Sequence, residues 1–266
     1  MSTQFNFVAG WAGVAVLMLA LWTVQWRTKN AGIVDVAWAF GTGVLGIWLV
    51  LASPQGDLQR RILIAAIAAI WSVRLGIHLA SRVFSESEDG RYRYLREKLG
   101  QRVQSFMFLF FQLQALWAVM FALPMWAAAQ SPVTGLVWTD FAGAAVFVIS
   151  IAGEAIADAQ LSRFRRDPGN RGKVCKIGLW RYSRHPNYFF EWLHWWAYVL
   201  IALASPYWWV TLAGLIVTYF FLTKITGIPF TEQQALRSRG DAYRRYQDTT
   251  SAFFPWPPDS KQENAT

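Results

Sequence analysis

The sequence predicts an all-α protein: a polytopic membrane bundle of seven transmembrane helices with cytosolic loops and a C-terminal amphipathic helix. Three observations lead there. Of 266 residues, 55% are hydrophobic and only 15% charged, against about 25% charged in an ordinary soluble domain. The apolar residues fall in long uncharged runs, several near the roughly 18–20 residues that a helix needs to cross a bilayer. Sixteen Trp suit indoles that gather at membrane interfaces.

The runs place the spans, in order, at about 5–26, 31–52, 60–84, 104–129, 136–162, 188–204 and 207–226. Pro54, Pro132 and Pro206 sit in the short connections, where a missing N–H does little harm. An amphipathic helix is expected near 230–246. Residues 1–258 read as one integral membrane domain with its signature region at 136–256, and 259–266 as a disordered polar tail. Residues 1–26 have no basic n-region, so no cleaved leader is expected.

Charge sets the orientation. Arg27 and Lys29 follow the first span, six basic residues lie between Arg82 and Arg102, and eight between Arg163 and Arg184. Lys224, Arg237, Arg239, Arg244, Arg245 and Lys261 follow the seventh, whereas the other side has only Arg60 and Arg61. The positive-inside rule then puts the N-terminus outside and the C-terminus in the cytosol. The net charge of +9 is a topology signal and gives no reason to expect nucleic acid as a partner. No internal repeat is evident, which disfavours an inverted-repeat transporter. Cys175 is the only cysteine, so no disulfide within the chain and no CxxC site can form. Three histidines without HxxxH spacing exclude the eight-histidine desaturase pattern and argue against zinc or di-iron.

Ionisable groups inside spans are expensive and raise a functional expectation. Asp35 shares a face of the second span with Trp38 and Thr42. Arg74, His78 and Arg82 form a stripe down the third span, Glu154 and Asp158 lie four apart in the fifth, and Glu191 and His194 lie in the sixth. These groups suggest one polar cavity open to the cytosol. Plainer readings stand beside that one: Asp35 with Arg74 as a structural ion pair, Arg82 as a snorkelling side chain, and His194 as a packed histidine among tryptophans. The stretch from Asp158 to Glu191 mixes Arg and Lys suited to phosphates with the Asn187 amide and the stacking rings of Tyr182 and Tyr188. Without GxGxxG or GxxxxGK[ST], a nucleotide held there would occupy a helix-lined site unlike a Rossmann or P-loop one.

GLWRYSRHPNYFFEW at 178–192 resembles the signature of the steroid 5α-reductase family, whose superfamily includes sterol C14 reductases and isoprenylcysteine carboxyl methyltransferases. Glu232 to Tyr246, closed by Phe253-Phe-Pro255, resembles the ending of that superfamily. DVAW at 35–38 and EDGRYRYLRE at 88–97 are typical of its bacterial branch, labelled DUF1295. The resemblance implies NADPH as cofactor and a bacterial inner membrane as location. It implies Asp158, Arg165, Lys173, Asn187 and Glu191 as cofactor contacts, with Tyr182, Arg184 and His185 in the same motif. Glu232, Arg239, Tyr243 and Tyr246 fall where the C-terminal helix closes over the nucleotide. Animal steroid 5α-reductases use a Gln-Glu pair on the second helix and a Tyr on the third to contact the 3-oxo group. Here Asp35 is the nearest acid, and the third span offers Arg74 and His78 but no Tyr in its membrane part.

The resulting expectation is an NADPH-dependent oxidoreductase that reduces the C4–C5 double bond of a 3-oxo-Δ4 steroid or similar lipid enone. Hydride goes to C5 and a proton to C4, with Asp35, Arg74 and His78 as the catalytic group. The substrate enters from the bilayer, and no metal or obligate protein partner is expected. Two rivals remain: an S-adenosylmethionine-dependent methyltransferase of the isoprenylcysteine type, and a non-enzymatic lipid-binding membrane protein.

Overall fold

Backbone N–H and C=O groups in lipid must be satisfied within the segment that carries them, so long apolar runs become helices. A computed structural model describes residues 2–85, 88 and 90–258, without the side chain of Arg91. These described residues form helices and turns and hold no strand. The tail expected to be disordered, 259–266, lies outside them.

The helices are α1 (Thr3–Thr28), α2 (Ile33–Ala52), α3 (Leu58–Ser85), α4 (Gly90–Leu99), α5 (Val103–Ala129), α6 (Trp138–Arg166), α7 (Pro186–Ile201), α8 (Trp208–Phe220), α9 (Ile228–Arg239) and α10 (Asp241–Thr249). Their ends follow local chemistry. Ser2 caps α1 by accepting from the Phe5 N–H, and Lys29 closes it in the left-handed region at φ 57. Asp57 accepts from the N–H groups of Gln59 and Arg60 at the start of α3. A π-helical turn, Phe221–Ile225, follows α8.

Among the described residues, six stretches are long and apolar enough to cross a membrane: Thr3–Thr28, Ile33–Ala52, Leu58–Ser85, Tyr92–Ala129, Trp138–Arg166 and Trp208–Arg239. The span expected at 188–204 is the exception. Its counterpart α7 has 16 residues, about 24 Å at 1.5 Å per residue, and continues only as a 3-10 turn, Ala202–Ala204. The single amphipathic helix expected near 230–246 is two helices. Gly240, at φ 51, breaks it with a backbone conformation that other residues adopt only under strain.

The chain divides into two compact units: Met1–Phe141 with Tyr198–Gly214, and Ala142–Ala197 with Leu215–Thr266. In the first, Val14, Met18, Leu45, Leu49, Met107 and Phe111 are core residues. Gly43 and Gly46 of α2 bring Ser72 and Met125 so close that a Cβ would clash, the small-residue device of helix packing in lipid.

A buried ion pair clasps one end of this unit. Arg60 is 1% and Asp140 0% exposed. Arg60 reaches the Asp140 carboxylate at 2.8 and 2.9 Å and the carbonyls of Val133 and Gly135 at 2.7 Å each. Asp57 accepts from the Gly135 N–H at 2.9 Å, which holds its carboxyl below the usual range. Removing one member of a buried charge pair leaves the other uncompensated, at a cost of about 3–5 kcal/mol. Arg60→Ala and Asp140→Ala should each lower the unfolding temperature in detergent sharply. Arg61→Ala, at a half-buried residue that bonds the Leu51 carbonyl, should lower it far less.

Candidate functional site

Within the second unit, the conformation of the 167–185 loop is fixed from α6. Gly178 turns at φ 56 with the Gln160 side chain where a Cβ would lie, and Gln160 accepts from the Leu179 N–H at 2.9 Å. The Trp180 indole donates to the Ala157 carbonyl at 2.9 Å. Pro186 then opens α7 at a position where its missing N–H is no loss. Asn187 donates to Asp158 of α6 at 3.2 Å, and Glu191 follows one turn along the same face of α7.

Glu232 on α9 is the electrostatic centre. Its Oε1 accepts from Arg184 Nε at 2.7 Å, lies 3.2 Å from His185 Nε2, and accepts from the Tyr243 hydroxyl at 3.4 Å. Its Oε2 accepts from Gln247 at 2.8 Å. Arg184 Nη1 also donates to the carbonyls of Gln247 and Thr250. Tyr246 of α10 donates to the Trp180 carbonyl, and Ser183 donates to the Phe253 carbonyl at 2.9 Å. The C-terminal hairpin is thereby latched to the signature loop. His185 stacks on Tyr188 at 5.5 Å, and Phe253 and Phe254 pack on Phe189, Trp192 and Tyr219.

Burial works against a charge on Glu232, but the hydrogen bonds from His185 and Arg184 and the Arg184 charge overcome it and bring the carboxyl down to about 2. Burial lowers His185 despite Glu232, and its Nε2 stays within hydrogen-bond reach of the carboxylate. Burial also raises Tyr243 and Tyr246, which keeps both phenols as donors.

The other expected cofactor residues belong to the same unit. Arg239 donates to the Lys173 carbonyl at 3.0 Å. Arg165 and Arg239 both act electrostatically on the buried Cys175, whose thiol burial pushes up. Arg165, Lys173 and Tyr182 are exposed, and the Tyr182 carbonyl accepts from the Trp256 N–H at 2.9 Å. His194 is buried, with Nδ1 2.8 Å from the Glu191 carbonyl, a packed histidine. Among the described residues, no group of three or more His, Cys, Asp or Glu could hold a metal ion.

The catalytic candidates lie in the first unit. Arg74 and His78 are half-buried, one turn apart on α3, and Arg82 is exposed. Asp35 receives the hydroxyl of Tyr92 at 2.8 Å. Tyr92 is 3% exposed and comes from α4, an element absent from the sequence reading. Two tyrosines two residues apart carry no sign of which faces inward; Tyr94 is exposed and lies under Lys98. Glu88 fixes α4: it takes Arg96 at 3.0 Å and the Ala31 N–H before α2 at 2.8 Å. Arg96 also reaches Gln25 at 3.0 Å.

Residues 21–250 match the family described as protein of unknown function, DUF1295. An uncharacterized protein of Schizosaccharomyces pombe is similar, 27% identical over 280 residues that cover 94% of this chain and 79% of the relative. No solved structure matches.

The latch weakens in acid. Glu232 is depressed from 4.5 to about 2, so its contribution is full above 4.5 and is lost as pH falls through about 2. His185, lowered from 6.5, acts in the same sense: its contribution is full above 6.5 and declines below it. Pepsin should therefore cut the 228–250 hairpin increasingly as pH falls toward 2. Glu232→Gln should make the hairpin susceptible throughout and flatten that dependence.

Proposed function

The chain belongs to the DUF1295 family, and from that premise we propose that it is a membrane-embedded, NADPH-dependent reductase. Its substrate is a 3-oxo-Δ4 steroid or a similar lipid enone, in which it saturates the C4–C5 double bond. The observation that carries the reading is the Asn187–Asp158 bond with Glu191 one turn further on. Residues far apart in sequence, singled out through the resemblance to steroid 5α-reductases, share one place in one unit.

The donor set suits a dinucleotide. Arg165 and Lys173 are exposed cations for phosphates, and Asn187, Asp158 and Glu191 offer an amide and carboxylates for ribose and nicotinamide. Arg184, His185 and Tyr243 converge on Glu232, so we assign them to holding the hairpin shut. Bound NADPH supplies the hydride that reaches C5 of the enone. The Tyr92 hydroxyl donates to the enone carbonyl and stabilises the developing enolate charge, and Asp35 holds that hydroxyl in place. Arg74 and His78 serve the proton that reaches C4.

The proposed topology has seven spans, with the N-terminus outside and the latch in the cytosol. α7 with its 3-10 turn adds about 6 Å at roughly 2 Å per residue, reaching the roughly 30 Å of a hydrocarbon core.

Purified protein should oxidise NADPH when given an enone steroid and should gain thermal stability from NADPH. Asn187→Ala and Glu191→Ala should each weaken NADPH binding about tenfold or more, as expected for a lost charged hydrogen bond. Tyr92→Phe should leave NADPH binding intact and slow turnover on the order of a hundredfold. Stabilisation by S-adenosylmethionine and none by NADPH would overturn the reductase in favour of the methyltransferase.

A further inference from the structure

Thr42 lies in the middle of α2 at 0% exposure, and its hydroxyl has no hydrogen-bond partner among the described residues. Several helical Ser and Thr hydroxyls elsewhere in the chain turn back to their own helix, while Ser72 of α3 donates across to the Ala39 carbonyl of α2 at 3.1 Å. Thr28 donates to the Val24 carbonyl at 3.1 Å, Ser150 to Val146 at 2.7 Å and Thr223 to Tyr219 at 2.7 Å. The same return to residue i−4 is the ordinary outlet for a helical threonine, and Thr42 does not take it. One turn earlier, Trp38 buries its indole N–H without an acceptor. Its ring is held edge-on by Trp71 at 6.2 Å and Phe121 at 5.3 Å.

Asp35, Trp38 and Thr42 are spaced i, i+3, i+7 and so share a face. The rest of α2 is apolar or glycine, apart from the exposed Trp48. Buried donors without acceptors are uncommon in general; Trp126 buries its indole N–H in the same way, but Trp38 and Thr42 lie a turn apart on the face that begins with Asp35. An indole N–H can only donate, so the atom that completes the pair must accept. A threonine hydroxyl completes either a hydroxyl or a carbonyl.

We propose that Trp38 and Thr42 form a subsite for a second oxygen of the lipid substrate, a ketone or hydroxyl remote from the enone. Trp38 donates to that oxygen and Thr42 bonds it from one turn away. For the identity of the lipid, this rests on the reductase reading with the enone carbonyl at Tyr92 and Asp35. The rise from Asp35 to the Trp38–Thr42 pair is roughly 5–10 Å at 1.5 Å per residue, within the length of a four-ring sterane skeleton. The preferred substrate is therefore oxygenated at both ends.

Two probes that differ by that oxygen alone test it: androst-4-ene-3,17-dione and androst-4-en-3-one. Their affinities are read from shifts in unfolding temperature, with no turnover required. Wild-type protein should bind the dione about tenfold more tightly. Thr42→Val keeps the shape and removes the hydroxyl, and Trp38→Phe keeps a ring and removes the N–H. Each should erase most of the tenfold preference and leave the mono-ketone's affinity unchanged, and Thr42→Val should not lower the unfolding temperature without lipid. Equal affinities in the wild type, a preference that survives both substitutions, or no binding of either lipid would overturn the subsite. NADPH oxidation is followed separately: a dione bound through Trp38 and Thr42 but never reduced keeps the subsite and sinks the reductase.

Discussion

The second unit depends on one carboxylate. Glu232 gathers a guanidinium, an imidazole, a phenol and an amide, and all four partners lie at points the chain must bring together: the residues before α7 and the body of α10. Any two of these elements could pack by hydrophobic contact alone, as Phe253 and Phe254 do on Trp192. Aromatic packing is tolerant of sliding, whereas a carboxylate with four directional donors admits one register. The charge therefore defines the conformation of the loop that leads into α7 and Asn187, and the aromatic cluster supplies the burial that strengthens each of its hydrogen bonds.

In the first unit, two charged sites show how the same expense can have different purposes. Arg60 directs its guanidinium at Asp140 and two carbonyls, a set of acceptors that leaves little capacity for a ligand. Nothing about such a site calls for chemistry. Asp35 is instead met by a phenol from α4, and α4 is held by Glu88, Arg96 and Gln25. An ion pair and an amide are thus employed to bring one hydroxyl to one carboxylate. That investment distinguishes a positioned acid from a neutralised one.

Much of this was legible in the sequence because it follows from hydropathy. Every predicted span has a helix within a few residues of it, since an apolar run in lipid has no alternative. The shortfall of α7 was not legible: Ala202–Ala204 is as apolar as a span, and only geometry shows the chain tightening into a 3-10 turn. Gly240 was visible as a residue, but one glycine within an amphipathic pattern does not declare a positive φ. The convergence of Asp158 with Asn187 could be anticipated through the motif, and that of Arg184, His185 and Tyr243 with Glu232 likewise, though not their preference for one another. Tyr92 escaped because α4 is short and strongly basic, so its inward face carries no apolar stripe. Arg60 read as a topology mark because its partner Asp140 lies 80 residues away.

Thr42 and Trp38 bear on the same question from the opposite side. A protein that buries charges with complete sets of partners at Arg60 and Glu232 has the means to satisfy a hydroxyl. For Thr42 the means is as near as the carbonyl one turn back, which other helical hydroxyls in this chain use. Both atoms on the Asp35 face are nonetheless left without partners. In an apolar surrounding such atoms weaken the fold unless something completes them. A lipid oxygen is the chemistry the bilayer can deliver to that place, and its arrival would convert two liabilities into the selectivity of the site.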